Sequence, residues 1–521
     1  MKKIYLFAAV AMTAMQLQAQ PAATQDTYVG AALATEDLNG TARYVGMGGA
    51  MDALGADIST IGSNPAGIGL FRRGQVSASL SVNMQEDGMS FKDGSKTHVS
   101  FDQLGVVFST RSGKTSNLNF AFNYHKNRNF NHVLSAANAL YGSAQNRQTV
   151  LKDMNGVFSS NLTMSQLDDL YYGNMILDAE DVMHDYAGEA YDFTRANTGY
   201  IGEFDFNISG NIKNRLYLGL TVGVHKVNYN NYSEYHELLS SMEYDDVLVA
   251  DDHKITGYGY NVKAGLIVRP IAESPFRVGL SVATPTFYRL TTENYTTMSV
   301  DGARANYSAA KEDFRFNTPW KFGVSLGHTI GDYAAVGAVY EYADYGSCDM
   351  RFIDGGQYDY WGDVYYENSS SDRVMKRHTE NTLKGVSTLK LGGEFKPDKN
   401  ISLRLGYNYV SPMYKETGVR DQTLDSPGVY YASTTHYVNW KDTHRITAGV
   451  GFSFDKFRLD LAYQYSTRKG DFYPFMADYD LTSAARADYD VSYTEMPANH
   501  CNPVSVKDNR HQIQCSLVYA F

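Results

Sequence analysis

What this chain of 521 residues has little of narrows it quickly. It has 3 Cys, 12 Pro and 3 Trp. Past its first residues, no apolar run reaches the ~20 residues that a membrane-crossing helix needs, so a helix-spanning membrane protein is excluded. Cys348, Cys501 and Cys515 form no thiolate metal motif, and neither a metal nor a cofactor is expected. They are an odd number in an oxidising compartment, and spacing alone leaves open whether Cys501 and Cys515 pair. Positive charge is also short: 46 Lys and Arg against 57 Asp and Glu give a net charge of −11. That argues against a nucleic-acid partner, because phosphate selects basic faces.

What the chain does have is 41 Tyr and 45 Gly, with a negative mean hydropathy. A β-barrel can cross a bilayer with such a composition, since only every second residue of each strand faces lipid. Lys2 and Lys3, the apolar stretch from Ile4 to Met15, and Leu17-Gln18-Ala19 read as a signal peptide over 1–19, with the mature chain starting at Gln20.

After residue 75 the pattern alternates with period two. Leu216, Leu218, Leu220, Val222 and Val224 interleave with Tyr217, Gly219, Thr221 and Gly223; Leu403, Leu405, Tyr407 and Tyr409 interleave with Arg404, Gly406 and Asn408. Strands are predicted near 76–84, 100–110, 117–126, 198–209, 215–228, 256–268, 275–288, 315–329, 333–344, 386–395, 401–411, 443–454, 457–467 and 508–521. That is about fourteen, an even number, as single-chain bacterial barrels require. The connections alternate between short (such as 111–116, 210–214 and 455–456) and long (such as 127–197, 229–255, 289–314 and 468–507). Outer-membrane barrels sort periplasmic turns from extracellular loops in this way. Both chain ends then lie in the periplasm.

The expected fold is all-β: a 14-stranded antiparallel transmembrane β-barrel over 76–521 with an N-terminal hatch or plug over 20–75. Tyr340-x-Tyr342, Tyr407-x-Tyr409, Tyr463-x-Tyr465 and Phe122-x-Tyr124 are expected to form an outer aromatic girdle. The opposite strand faces carry Glu203, Asp205, Lys263, Lys390, Glu394, Arg404, Arg458 and Asp460. A Lys or Arg on lipid at mid-bilayer would cost about 2–4 kcal/mol, so these should face the lumen, either bracing the wall or lining a path. A helix is expected within 127–197, with Ala179, Val182, Met183, Tyr186, Ala187 and Ala190 on one face.

The segment before the first strand is rich in small residues: Gly40-Thr41-Ala42-Arg43, Gly46-Met47-Gly48-Gly49-Ala50, Ala53-Leu54-Gly55-Ala56-Asp57 and Ser63-Asn64-Pro65-Ala66-Gly67. This run resembles the N-terminal region of the FadL/TodX family of outer-membrane transporters for long-chain fatty acids and other hydrophobic compounds. Ser281-Val282-Ala283-Thr284-Pro285-Thr286, Thr318-Pro319-Trp320-Lys321-Phe322-Gly323 and Arg404-Leu405-Gly406-Tyr407 resemble its strand sequences. The resemblance implies a fourteen-stranded barrel whose hatch carries Asn64, Pro65, Ala66 and Gly67 near the wall. It further implies a hydrophobic ligand that enters from outside and leaves sideways beside a kinked third strand, although 117–126 has no Pro or Gly to mark such a kink.

The expected partners are that ligand, outer-membrane lipid, and the barrel-insertion machinery, which would read the last strand through its terminal Phe521. The protein is expected to be a monomer and not an enzyme, since no Ser/His/Asp set has a nucleophile-elbow context. Two other readings stay open. One is a cargo-binding scaffold of a protein secretion system, of the PorV kind. The other is a haem receptor, although the histidines, among them His98, His132, His184, His253 and His436, lack a paired motif. The acidic residues Glu243, Asp245, Asp246, Asp251 and Asp252 read as a solvated surface loop.

Overall fold

A computed structural model describes residues 25–521 apart from 161–163, 178–182, 304–305, 360, 363, 421–433, 484 and 486–497. The leader over 1–19 lies outside the described residues. Fourteen antiparallel strands form the wall: β1 (Gln75–Gln85), β2 (Thr97–Arg111), β3 (Asn117–Asn129), β4 (Gly188–Ile212), β5 (Leu216–Leu239), β6 (Asp246–Val268), β7 (Arg277–Ala283), β8 (Lys321–Ile330), β9 (Ala334–Asp344), β10 (Gly385–Asp398), β11 (Ile401–Val410), β12 (Tyr437–Phe454), β13 (Phe457–Tyr473) and β14 (Val504–Ala520). Each pairs with its neighbours in chain order. β14 returns to β1, from Gln75–Ala520 to Gln85–Arg510, and closes the sheet. No edge is left in the wall, so every ladder group can be satisfied inside a bilayer.

The alternation decides which face is which. Leu218, Leu220, Val222 and Val224 are exposed on the outside while Tyr217 and Thr221 are buried inside; Leu403 and Leu405 point out, Arg404 in. Outward apolar residues recur around the wall, and the protein is a transmembrane barrel of the outer-membrane type. The turns at its lower end are short. Those at Lys213–Asn214 and Asp455 use positive φ near 50°, which suits tight hairpins. The girdle rings lie on the outer surface, and Tyr407 and Tyr463 each bond a histidine on the next strand (His444 and His511, both 2.7 Å).

Four expectations need correction. The connections 229–255 and 289–314 are strand rather than loop: β5 and β6 run on to Leu239 and from Asp246, and Phe287–Val300 pairs with Asn306–Asn317. Asp251 accordingly sits buried in β6, accepting from Asn294 and Thr296, and is not on a solvated loop. The stretches 275–288 and 315–329, each read as one strand, are interrupted at Thr284–Thr286 and Thr318–Trp320, where Pro285 and Pro319 have no N–H to give a ladder. In the 127–197 segment Ala179 and Val182 lie outside the described residues, Tyr186 and Ala187 are irregular, and Ala190 is in β4. Among the described residues, the α-helices there are Gln145–Met154 and Gln166–Tyr171. The question left open for Cys501 and Cys515 is answered as well: both are free thiols, Cys501 buried in the loop layer and Cys515 facing outward from β14.

Residues 25–74 fill the lumen as a plug. Helix α1 (Thr27–Ala34), capped by Asp26, is followed by the short helices α2 (Ala42–Gly46) and α3 (Thr60–Ser63) and a 3-10 turn over Pro65–Leu70. Above the membrane the loops and hairpins share a second hydrophobic core containing Leu151, Tyr171, Phe193, Phe472, Phe475 and Tyr479. That layer covers the mouth of the barrel.

Candidate functional site: the plugged lumen and its cationic chamber

Asn64, Pro65, Ala66 and Gly67 are all buried against the wall. The Asn64 side chain accepts from the Ala66 N–H at 3.1 Å, and Pro65 opens the 3-10 turn, where its missing N–H costs nothing. The wall makes room by leaving side chains out. A Cβ on Gly219 would lie 2.3 Å from the Pro65 carbonyl carbon, one on Gly265 2.1 Å from Asn64 Oδ1, and one on Gly279 2.9 Å from Asn64 Nδ2. Ser209 on β4 and Thr221 on β5 then donate to the carbonyls of Pro65 (2.8 Å) and Ile61 (3.1 Å). On the far side, Gly337, Gly392 and Gly406 stand at similarly short range from the plug backbone at Ala50, Met47 and Gly48.

The eight charges expected in the lumen are brought into three groups. Glu394 on β10, Arg404 on β11, and Arg458 and Asp460 on β13 form a chain of ion pairs, each at 2.7 Å, and plug Arg43 joins it with two bonds to Glu394 (3.0 and 3.1 Å). Arg43 is the member missed earlier, although it stands in the motif that carries the family resemblance. Lys390 pairs with Glu341 of β9 at 2.7 Å, close to plug residue Asp52, whose carboxyl burial pushes up to about 6 against the pull of Lys390. Glu203 and Asp205 on β4 hold Lys263 of β6 between them, with His125 of β3 at 3.5 and 3.4 Å and His225 of β5 at 3.2 Å from Glu203. Among the described residues, His125, Glu203 and Asp205 are the one group with metal-ligand spacing. The Lys263 ammonium already supplies a cation there, between the two carboxylates, and the set reads as a buried ion-paired cluster that braces the wall.

Above the plug lie two adjoining cavities, an inner one of about 210 Å³ and an outer one of about 120 Å³. Thr35, Arg128, Met413, Trp440, Arg468 and Arg510 line both and so form the neck between them. Rings of Tyr28, Phe130, Tyr229, Tyr414 and Tyr437 surround the outer cavity. Five guanidinium groups reach the two cavities: Arg128, Arg195, Arg445, Arg468 and Arg510. Among the described residues, two carboxylates answer them. Asp37 holds Arg128 at 2.6 Å, and Asp508 is shared by Arg468 (2.8 Å) and Arg510 (2.7 Å). The remaining carboxylate of the outer cavity, Asp26, is taken by Arg420. Arg445 donates to the neutral Asn408 at 2.8 Å, and among the described residues Arg195 Nε has no hydrogen-bond partner. Among the described residues, the chamber is therefore aromatic and carries surplus positive charge.

Arg128, Arg195 and Arg468 fall beyond the ends predicted for their strands (117–126, 198–209 and 457–467), whereas Arg445 and Arg510 fall within theirs and carry no local signal that sets them apart. Of the five histidines noted, His132, His253 and His436 line the outer cavity. His132 lies 3.7 Å from Asp508, His253 bonds Thr292 at 2.9 Å, and His436 packs on Phe193 at 4.5 Å.

No protein-family model and no curated protein matches the chain in sequence. In structure it matches a Pseudomonas aeruginosa FadL homologue, with 10% identity and a TM-score of 0.50 over 93% of this chain and 99% of that one. The Pseudomonas putida toluene transporter TodX (14%, 0.46, covering 94% and 99%) and the CymD monoaromatic hydrocarbon channel (11%, 0.48, 94% and 99%) also match. At such identities the likeness is one of fold.

Proposed function

We propose that this barrel, which has the fold of the FadL-type outer-membrane channels, takes up hydrophobic small molecules that carry an anionic head, long-chain fatty acids among them. One observation carries the reading: above a seated plug lies an aromatic chamber where, among the described residues, five arginines meet two carboxylates. An apolar tail leaving water contributes about 0.8 kcal/mol per buried methylene. A head bonded to a guanidinium adds about 1.5–3 kcal/mol. The neighbouring channels named for toluene and monoaromatic hydrocarbons take ligands with no charge to place; surplus arginine would be an unanswered cost for such a ligand.

The test is binding of palmitate, its methyl ester and toluene to the purified protein. Palmitate should bind at least ~10-fold tighter than the ester, and Arg195→Gln with Arg445→Gln should erase the difference. Equal binding of acid and ester would remove the anionic class, and binding of none of the three would remove transport.

A cargo scaffold of the PorV kind is the second reading. The hairpin of Asp349–Asp359 and Val364–Ser371 stands outside the wall; among the described residues the latter strand is paired on one edge, and Tyr365 and Tyr366 are exposed. An open strand edge is a docking edge for an extended peptide. A stoichiometric protein that co-purifies with the intact barrel and is lost when 349–371 is deleted would favour it.

A further inference from the structure

The outward face of the sheet carries its charges unevenly. Strand register places Lys226 of β5 beside Tyr258 of β6, Tyr258 beside Arg289, Arg289 beside Arg315, and Arg315 beside Arg351, in one row across five strands. The row points away from the lumen. Lys226, Tyr258 and Arg289 are exposed while His225, Val227, Gly259, Tyr288 and Leu290 next to them are buried, and Arg315 stands between the buried Phe314 and Phe316. Lys226 is ten residues up from Leu216, where β5 begins above its short turn. At ~3.3 Å per residue and ~40° of tilt that is roughly 25 Å, the height of the apolar band, so the row stands where hydrocarbon gives way to head groups.

The rows on either side of it differ in kind. Directly beneath, Phe204, Val224, Tyr260 and Phe287 face outward in register, all exposed, with the rings of Tyr260 and Phe287 5.8 Å apart. The row directly above holds Thr256, Thr291 and Asp313, which accepts from the Thr291 hydroxyl. In the next row up the signs alternate: Glu293 lies between Lys254 (3.9 Å) and Lys311 (2.7 Å). The boundary row lacks that alternation. Arg315 is answered by Glu367 and Arg351 by Asp349 at 2.8 Å. Among the described residues, Lys226 and Arg289 form no ion pair, and Arg289 stands directly opposite Arg315. Like charges so placed cost stability unless an anion comes between them. With neighbouring strands ~4.8 Å apart, Lys226 and Arg289 are separated by roughly 10 Å, and Tyr258 stands between them.

We propose that Lys226, Tyr258 and Arg289, backed by Arg315, form a docking site on the outside of the barrel for a phosphorylated glycolipid of the outer leaflet. Its phosphates lie on the cations and its acyl chains on the apolar row beneath. A guanidinium matches phosphate with two parallel bonds, and an ammonium serves as a point charge. Position selects a lipid over free phosphate, because a lipid presents phosphate and hydrocarbon in this order at this height. The site is independent of what crosses the lumen.

The experiment is native mass spectrometry of the full-length barrel, purified in detergent and titrated with bisphosphorylated lipid A or with its dephosphorylated form. The bisphosphorylated lipid should bind at least ~10-fold tighter. Lys226→Gln with Arg289→Gln should remove that preference. Lys254→Gln with Lys311→Gln, an equal loss of charge two rows higher, should keep it. Equal binding of the two lipids by the native chain would overturn the site without recourse to any variant. The same loss in both double variants would also overturn it, since overall charge would then be responsible. Full displacement of the lipid by an equimolar amount of inorganic phosphate would overturn the assignment to a lipid.

Discussion

Three residues seat the plug by having no side chain. Gly219, Gly265 and Gly279 let Asn64 and Pro65 lie against the wall backbone, and Gly265 is the tightest of them. Gly265→Val would place carbon where the Asn64 side-chain oxygen Oδ1 lies. The plug should lift there, and outer-membrane permeability to large antibiotics should rise while the barrel still inserts. Arg404 is 3% exposed between Glu394 and Asp460. Removing one partner of a buried pair costs about 3–5 kcal/mol, so Arg404→Met should lower the temperature at which the folded barrel unfolds on a gel.

Asp52 sets a pH dependence. Its folded pKa of about 6 stands above the ordinary value of 3.8, so the seated plug favours the protonated form. Its seating is then strongest at acid pH and weakens as pH rises from about 4 to 6. Limited proteolysis of 25–74 should be slower at pH 4.5 than at pH 7.5, and Asp52→Asn should flatten the difference. Equal rates in the native chain would contradict it.

Among the elements, α1 is eight residues long and too short to hold its shape alone. Its order comes from what covers it. The Tyr28 ring stacks on Tyr414 and Tyr437 (centroids at 5.8 and 4.5 Å), and the Thr27 hydroxyl bonds His378 and Thr379 (2.8 and 2.9 Å) of helix Arg373–Thr382 in an outer loop. The plug is thus tied to the roof as well as to the wall. Tyr28→Ala should cost about 3–5 kcal/mol locally, as large-to-small changes in cores do. New protease cuts between 25 and 36 in a barrel that stays heat-resistant would show it; an unchanged digest would mean that α1 is held elsewhere.

Element boundaries were the part least legible in advance. Within the membrane two solvents write two alternating faces, and strands such as Leu216–Val224 could be read directly. Above it both faces of β5 meet water or packed loops, so Tyr232, Ser233, Glu234, Tyr235 and His236 show no such alternation and the hairpin reads as loop. Pro285 and Pro319 were visible signals of interruption inside apparent strands, outweighed by the apolar residues on either side.

Taken whole, the molecule is a barrel wide enough to pass water, closed by about fifty residues of its own chain. Deleting 25–74 should leave the fourteen strands able to insert and turn a silent protein into one with steady single-channel conductance; a silent deletion variant would show that the outer loops alone close it. Period-two patterning, alternating connection lengths and the small-residue run near Asn64 were enough to establish a plugged fourteen-stranded barrel, because exposure to lipid or lumen is settled residue by residue along each strand. Which charges meet could not be read that way. Arg43 lies 351 positions from Glu394, and Arg468 lies 40 from Asp508. The same holds for the arginines gathered at the chamber: their meeting depends on register and on how far strands run past the membrane, and those are set by contacts between distant segments rather than by any local run of residues.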